Sequence, residues 1–270
     1  MAAESAPIVT LLTDFGLQDP WVGSLKGVLW SIQPAFRIVD LCHEVPPHDI
    51  FSGAFTLYRS YRDFPPWTIH LCVVDPGVGT SRRPILVVTD DRYFIGPDNG
   101  IFSFVYQFEA AFKVVHITAD HYFRKKIGQT FHGRDVFAPI AGWLSKGIDS
   151  SRFGDPVDDF VRLPVPVDRR VGESLVKGEV CGVDRFGNLL TNVRAETLAE
   201  LASVSGRTRF KVLVAGQEVP LVDSGGYSQE APLFALVGSS GLLEVAASQR
   251  SAAAMLGIEG RGKEVGVMAV

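Results

Sequence analysis

The sequence predicts an α/β N-terminal domain with a largely parallel sheet, over residues 1–165, and a smaller all-β, barrel-like domain over 166–270. Three observations carry this. Apolar, β-branched runs alternate with stretches of helical spacing up to about residue 147, as repeated β–α units require. Leu163-Pro164-Val165-Pro166-Val167 then reads as a stiff, extended connector. Beyond it come short β-like runs punctuated by glycines, the pattern of a small antiparallel sandwich or barrel.

Ile8–Leu12 reads as the first strand and ends on Thr13-Asp14-Phe15-Gly16. Leu25, Val28, Leu29 and Ile32 share one face of a helix over Gly23–Ile32, with Pro34 just beyond its end. Arg37–Leu41 is the second strand, and Asp49 is placed to cap a helix from Ile50 to about Tyr61. Ile69–Val74 is the central strand. It stops at Asp75, where Pro76, Gly77 and Gly79 break the ladder and Arg82-Arg83 follow. Pro84–Thr89 and Tyr93–Ile95 flank an Asp90-Asp91 turn. Gly96-Pro97-Asp98-Asn99-Gly100 is a dense turn, and Lys113–Ile117 is another strand. Asp135–Lys146 has a helical face of Val136, Phe137, Ile140, Ala141 and Leu144, with Asp135 expected as its cap and Gly147 as its stop. In the second domain, strands are expected at 175–183, 209–214, 218–221, 233–237 and 242–246. Turns are expected at Gly216-Gln217, Gly225-Gly226 and Gly238.

Bulk properties narrow the function. With 46% hydrophobic residues and a mean hydropathy of +0.17, the chain has the makings of a packed core. A net charge of −4 leaves no footprint for nucleic acid. No apolar stretch approaches the roughly 18 residues of a membrane span, and Met1–Pro7 has no signal-peptide core, so the cytoplasm is expected. Cys42, Cys72 and Cys181 lack zinc-site spacing and read as buried thiols of a reducing compartment.

The chemistry-bearing residues gather at expected strand ends. Asp14, Asp40 and Asp75 lie there, Asp98 is on a turn, and His132 stands just outside the helix expected at Asp135. Carboxylates at strand ends of an α/β sheet mark the edge where ligands bind. Acids and a histidine on several loops also describe a metallohydrolase, although no His-x-His or His-Glu-x-x-His pair is present. His43, His48, His70, His116 and His121 are read as structural. In the second domain, Asp184-Arg185-Phe186-Gly187-Asn188 is a hairpin tip that also offers an aromatic face, a carboxylate and an amide. Gly238-Ser239-Ser240-Gly241 offers backbone N–H groups and two hydroxyls.

Together and in this order, these motifs resemble the S-adenosylmethionine (SAM) hydroxide adenosyltransferases, SAM hydrolases related to the fluorinases and chlorinases. The resemblance rests on Thr13–Gly16, Val74–Thr80, Gly96–Gly100, Phe131–Asp135, Asp184–Asn188 and Gly238–Gly241, and so spans both domains. It implies hydrolysis of SAM to adenosine and methionine without metal or cofactor. It also implies a homotrimer whose sites lie between the N-domain of one subunit and the C-domain of its neighbour. Asp75, Arg82 and His132 would be the catalytic triad around the attacking water. Asp14 would bind the ribose hydroxyls, Asp184 with Ser239 or Ser240 the methionine end, and Phe186 and Asn188 the adenine. Halogenating relatives have Tyr where Asp75 stands, so a chloride-using enzyme is the alternative that Asp75 argues against. A non-catalytic adenosine or SAM sensor is the other.

Overall fold

The computed structural model describes residues 6–222 and 231–270. The expected turn at Gly225-Gly226 lies outside them. The chain divides into two compact units, Met1–Val165 and Pro166–Val270.

The first unit is built on a six-stranded sheet. Its strands are β1 (Ile8–Thr13), β2 (Arg37–Cys42), β3 (Ile69–Val73), β4 (Pro84–Thr89), β5 (Tyr93–Pro97) and β6 (Phe112–His116), in the order β2-β1-β3-β5-β4-β6. Strands β2, β1, β3 and β5 run parallel, and β4 is antiparallel to both its neighbours. Alternation along β1 and β3 divides the core. Val9, Leu11, Ile69, Leu71 and Val73 pack with α1 (Trp21–Ile32) and with the helix over Ala138–Ser145. Leu12, Cys72 and Val74 pack on the other face with α2 (Ile50–Tyr58), and α3 (Ser103–Phe108) supplies Val105 and Tyr106 there. Central strands buried on both faces explain the apolar run of β3, which only His70 interrupts.

Asp49 caps α2 as expected, its carboxylate accepting from the Ser52 amide at 3.1 Å. The helix ends at Tyr58 rather than Tyr61. The Ser60 hydroxyl takes the Thr56 and Leu57 carbonyls that a further turn would need. His70 is fully buried in β3 and stacks on Phe94 at 5.0 Å, with Nδ1 2.8 Å from the Thr10 hydroxyl. Burial and nearby Arg92 push its pKa down to about 3, so it is a neutral core residue.

Two expectations fail locally. Asp40 is not at a strand end: it pairs with Leu11 within β2, and its carboxylate binds Lys26 and His43. Asp135 does not cap a helix. It lies, fully buried, inside a π-helical turn over Gly133–Phe137, and α4 (Ala138–Ser145) begins only afterwards. Pro139 is the reason. Lacking an N–H, it leaves the Asp135 carbonyl without its helical donor, and the Arg124 amide takes that carbonyl at 3.0 Å.

The second unit is a nearly closed antiparallel barrel. Its strands are β7 (Arg169–Val171), β8 (Leu175–Val183), β9 (Leu189–Arg194), β10 (Phe210–Val214), β11 (Gln217–Pro220), β12 (Leu233–Val237), β13 (Leu242–Ala247) and β14 (Glu264–Ala269). Their order is β11-β10-β14-β8-β9-β13-β12, with β7 on β8, and a Leu221–Ala235 bridge brings the two ends together. Alternate residues such as Val176, Val180, Val212, Val265 and Val267 fill the interior. Two helices were not anticipated, α5 (Ala195–Ser205) and α6 (Ala252–Leu256). Both stop at left-handed glycines, Gly206 and Gly257.

Candidate active site

Strand order places the site. The chain passes from β1 to its outer neighbour β2, then returns to β3 on the other side, so the sheet reverses between β1 and β3. Ligands of open α/β sheets bind at the carboxyl ends of strands that part in this way. Thr13 pairs with Val73 there, so Asp14 and Asp75 emerge side by side just beyond the last paired residues.

Asp14, Asp75 and His132 line one cavity of about 280 Å³, walled by Phe15, Trp21 and Phe131. Phe131 meets Phe15 and Trp21 edge-on, at 5.7 and 5.4 Å between ring centres. Arg82 stands behind the cavity. Its Nε donates to both Asp75 oxygens, at 2.9 and 3.0 Å, and Nη2 closes the fork onto Oδ2. The same Nη2 donates to His132 Nδ1 at 2.9 Å. The Asp75 side chain is 5% exposed and that of Arg82 9%. The guanidinium lies 5.2 Å from the centre of the Phe137 ring, which helps keep water from the pair.

This contact determines the histidine's tautomer. A guanidinium can only donate, so Nδ1 accepts and the proton of neutral His132 sits on Nε2. Burial, then Arg82, hold His132 below the ordinary histidine pKa, outweighing the opposite pull of Asp75 and Asp135. At neutral pH His132 is therefore a neutral hydrogen-bond donor through Nε2.

Asp14 is oriented by the His48 amide, which donates to it at 2.9 Å. The loop bearing Asp14 is held from below: the Gly16 amide donates to the His43 carbonyl at 2.8 Å, and His43 Nδ1 lies 2.8 Å from the Thr13 hydroxyl. The loop bearing Asp75 needs Gly79. Its φ is +78°, and a Cβ there would lie 2.4 Å from the Gln129 carbonyl oxygen. Gly79→Ala is therefore expected to push the Asp75 loop away from the segment leading to His132. The expected result is at least a tenfold lower kcat/KM for about 1–3 kcal/mol of stability, checked by steady-state kinetics beside thermal unfolding.

In the second unit, Asp184 accepts from the Phe186 and Asn188 amides at 2.9 and 2.8 Å, and from Asn188 Nδ2 at 2.9 Å. It thus shapes the hairpin tip. Phe186 and Asn188 line a cavity of about 670 Å³ with the loop Ala247–Ser251, and Phe186 is 76% exposed. Ser239 and Ser240 do not line it. They sit on the β12–β13 turn, where Ser240 Oγ is buried with no hydrogen-bond partner among the described residues. Among the described residues, no three His, Cys, Asp or Glu side chains are grouped as a metal ion would need, and no helix is long and apolar enough to cross a membrane.

Sequence reasoning missed Trp21 and Phe15 as cavity walls. Trp21 had a faint signal, a large aromatic just after Asp19-Pro20, but it precedes the Gly23–Ile32 stretch whose spacing reads as a helix. Its 45% exposure shows that it is not a core residue.

Both units match one family. The SAM hydroxide adenosyltransferase N-terminal domain matches residues 9–154, and the C-terminal domain of the same family matches 178–265. The chain belongs to the SAM hydroxide adenosyltransferase family. It is 35% identical to a Thermus thermophilus protein named (R)-S-adenosyl-L-methionine hydrolase, over 93% of this chain and 96% of that one. A crystal structure of an uncharacterized conserved protein from Thermotoga maritima superposes with a TM-score of 0.86 at 35% identity, covering 96% of this chain and 99% of that one. A fluorinase from Actinoplanes is 25% identical over 89% of this chain and 87% of its own. The Asp75–Arg82–His132 cluster and its small aromatic-walled cavity lie within the part that matches the family's N-terminal domain.

Proposed function

We propose that this chain hydrolyses S-adenosyl-L-methionine to adenosine and L-methionine, with water attacking C5′ in line with the C–S bond. The observation that carries the reading is the convergence of Asp75 and His132 on one cavity, both held from behind by Arg82. The sulfonium leaves as a neutral thioether and keeps the bonding pair, so no acid is needed at sulfur. What the protein must supply is a positioned, desolvated water, and positioning of this kind can contribute roughly 7–11 kcal/mol. Asp75 would accept the water's proton. His132 would not, since Nδ1 is occupied by Arg82 and Nε2 already carries hydrogen; its Nε2–H orients the water. Asp14 would hold the ribose hydroxyls. Phe186 and Asn188 would hold adenine, and Asp184 with Ser239 or Ser240 the methionine end. A carboxylate at the cavity suits water and repels a halide, which favours hydrolysis over the halogenase alternative.

The name of the Thermus thermophilus relative narrows the substrate. Because "L" already specifies the α-carbon, "R" refers to the sulfonium sulfur, and the R epimer is the form proposed here. The reaction as written needs no metal or cofactor. A homotrimer with sites at subunit interfaces, and a cytoplasmic location consistent with three free thiols, belong to the same proposal.

The test is incubation with each SAM epimer in heavy-oxygen water. Label in the 5′-hydroxyl of adenosine, a preference for the R epimer and indifference to EDTA are expected. Bound but unchanged SAM would favour a sensor. Activity abolished by EDTA and restored by a divalent ion would overturn the metal-free mechanism.

A further inference from the structure

His132 and the buried Phe131 before it follow a segment, residues 124–130, with little to pack against. Arg124, Lys125, Lys126, Ile127, Gln129 and Thr130 are exposed and lie in neither helix nor strand. Beyond the contacts of Phe131 with Phe15 and Trp21, such a loop has no apolar core of its own to hold it. Its anchor is polar and lies outside the cavity. The fully buried Asp135 carboxylate accepts from the Gly128 amide at 2.8 Å, from Arg134 Nε and Nη2 at 2.7 and 3.0 Å, and from Arg124 Nη1 at 3.1 Å. Its carbonyl, left open by Pro139, takes the Arg124 amide, and its own amide donates to the Phe131 carbonyl at 3.1 Å. One residue therefore ties both ends of the loop and its tip.

We propose that Asp135 is a positioning residue for the reaction: it clips residues 124–135 into a closed loop that sets His132 and Phe131 at the cavity. The catalytic consequence rests on the hydrolase reading; the placement rests on geometry alone. Arg134, once held by Asp135, lies 4.9 Å from the centre of the Phe131 ring, so the clip also steadies the aromatic wall. Burial would raise the Asp135 pKa, but Arg134, the Gly128 amide and Arg124 together hold it below the ordinary carboxylate value. A buried ion cluster need not add stability over an apolar core, whereas it does impose one geometry. The π-helical turn that contains Asp135 is a form often found beside functional sites.

The test compares Asp135→Asn, which keeps the shape but offers a donor where an acceptor is needed, with Arg124→Gln at the half-exposed end of the clip. The readouts are kcat and the His132 pKa by NMR titration. Arg82, Asp75 and Asp135 act on the charge of His132, and Asp14 lines the same cavity. An opened loop loses the burial and the Arg82 contact that depress the His132 pKa, so that pKa should rise toward the ordinary histidine value. For Asp135→Asn, kcat should fall about tenfold or more. Arg124→Gln should move both readouts the same way by less, and it decides the matter alone should the buried variant not fold. A His132 pKa that falls would make Asp135 a through-space charge, and one that stays put would make it a stability residue; either overturns the proposal. If the wild type does not hydrolyse SAM but the pKa still rises, the functional reading fails while the clip stands.

Discussion

Asp75→Asn is expected to cut kcat by about 10²–10⁴-fold, the usual range for removing a positioned acid or base. The amide matches the carboxylate in shape, and its oxygen can still accept from Arg82 Nε, the atom now 2.9 and 3.0 Å from the two carboxylate oxygens. It cannot take a proton from water. Substrate affinity should change little, because the ribose, adenine and methionine ends are assigned to other residues. Steady-state kinetics with a circular-dichroism check on folding would measure this. A variant that keeps wild-type kcat would remove Asp75 from the chemistry and leave Asp14 as the remaining carboxylate at the cavity.

Arg82→Met is expected to do more damage, to stability and activity together. It leaves the Asp75 carboxylate, 5% exposed, buried without its partner. Breaking a buried pair from one side costs about 3–5 kcal/mol. It also frees His132 Nδ1. The sign of the pH effect follows from the causes. Burial and Arg82 lower the His132 pKa, while Asp75 and Asp135 raise it. In the wild type the imidazole is neutral at pH 7, and activity should fall only as pH drops through a value below 6.5. Without Arg82 a depressing influence is gone and two raising ones stay. The His132 pKa should therefore rise toward the ordinary histidine value. Urea unfolding and an NMR titration of His132 would test both halves. An unmoved pKa would show that Arg82 does not govern the protonation of His132.

Much of the architecture was legible because it is written in local periodicity. The apolar run of β3 and the spacing of Leu25, Val28, Leu29 and Ile32 state their own secondary structure. The second unit was less legible. Ala195–Ser205 carries good helix formers in Ala, Leu and Glu, yet it lies among short β runs, and no element is expected there from the sequence. The ends of Asp49–Tyr61 and Asp135–Lys146 were misjudged for particular reasons, the Ser60 hydroxyl and the missing N–H of Pro139. In each case one residue redirects a few hydrogen bonds without altering the hydrophobic pattern.

The amino-acid order alone determined which side chains could do chemistry, that acids follow strands, and that two dissimilar halves join near residue 165. Only the tertiary structure decided which acids meet. Asp14, Asp40 and Asp75 looked equivalent in sequence, but the sheet order puts Asp14 and Asp75 together at the switch point and leaves Asp40 on the edge strand, tied to Lys26 and His43. The physical reason is that a strand's pattern records which face is buried and not which strand lies beside it. The neighbour is chosen by the crossover connections, and the distance from Arg82 to a histidine fifty positions away exists only once those connections have closed.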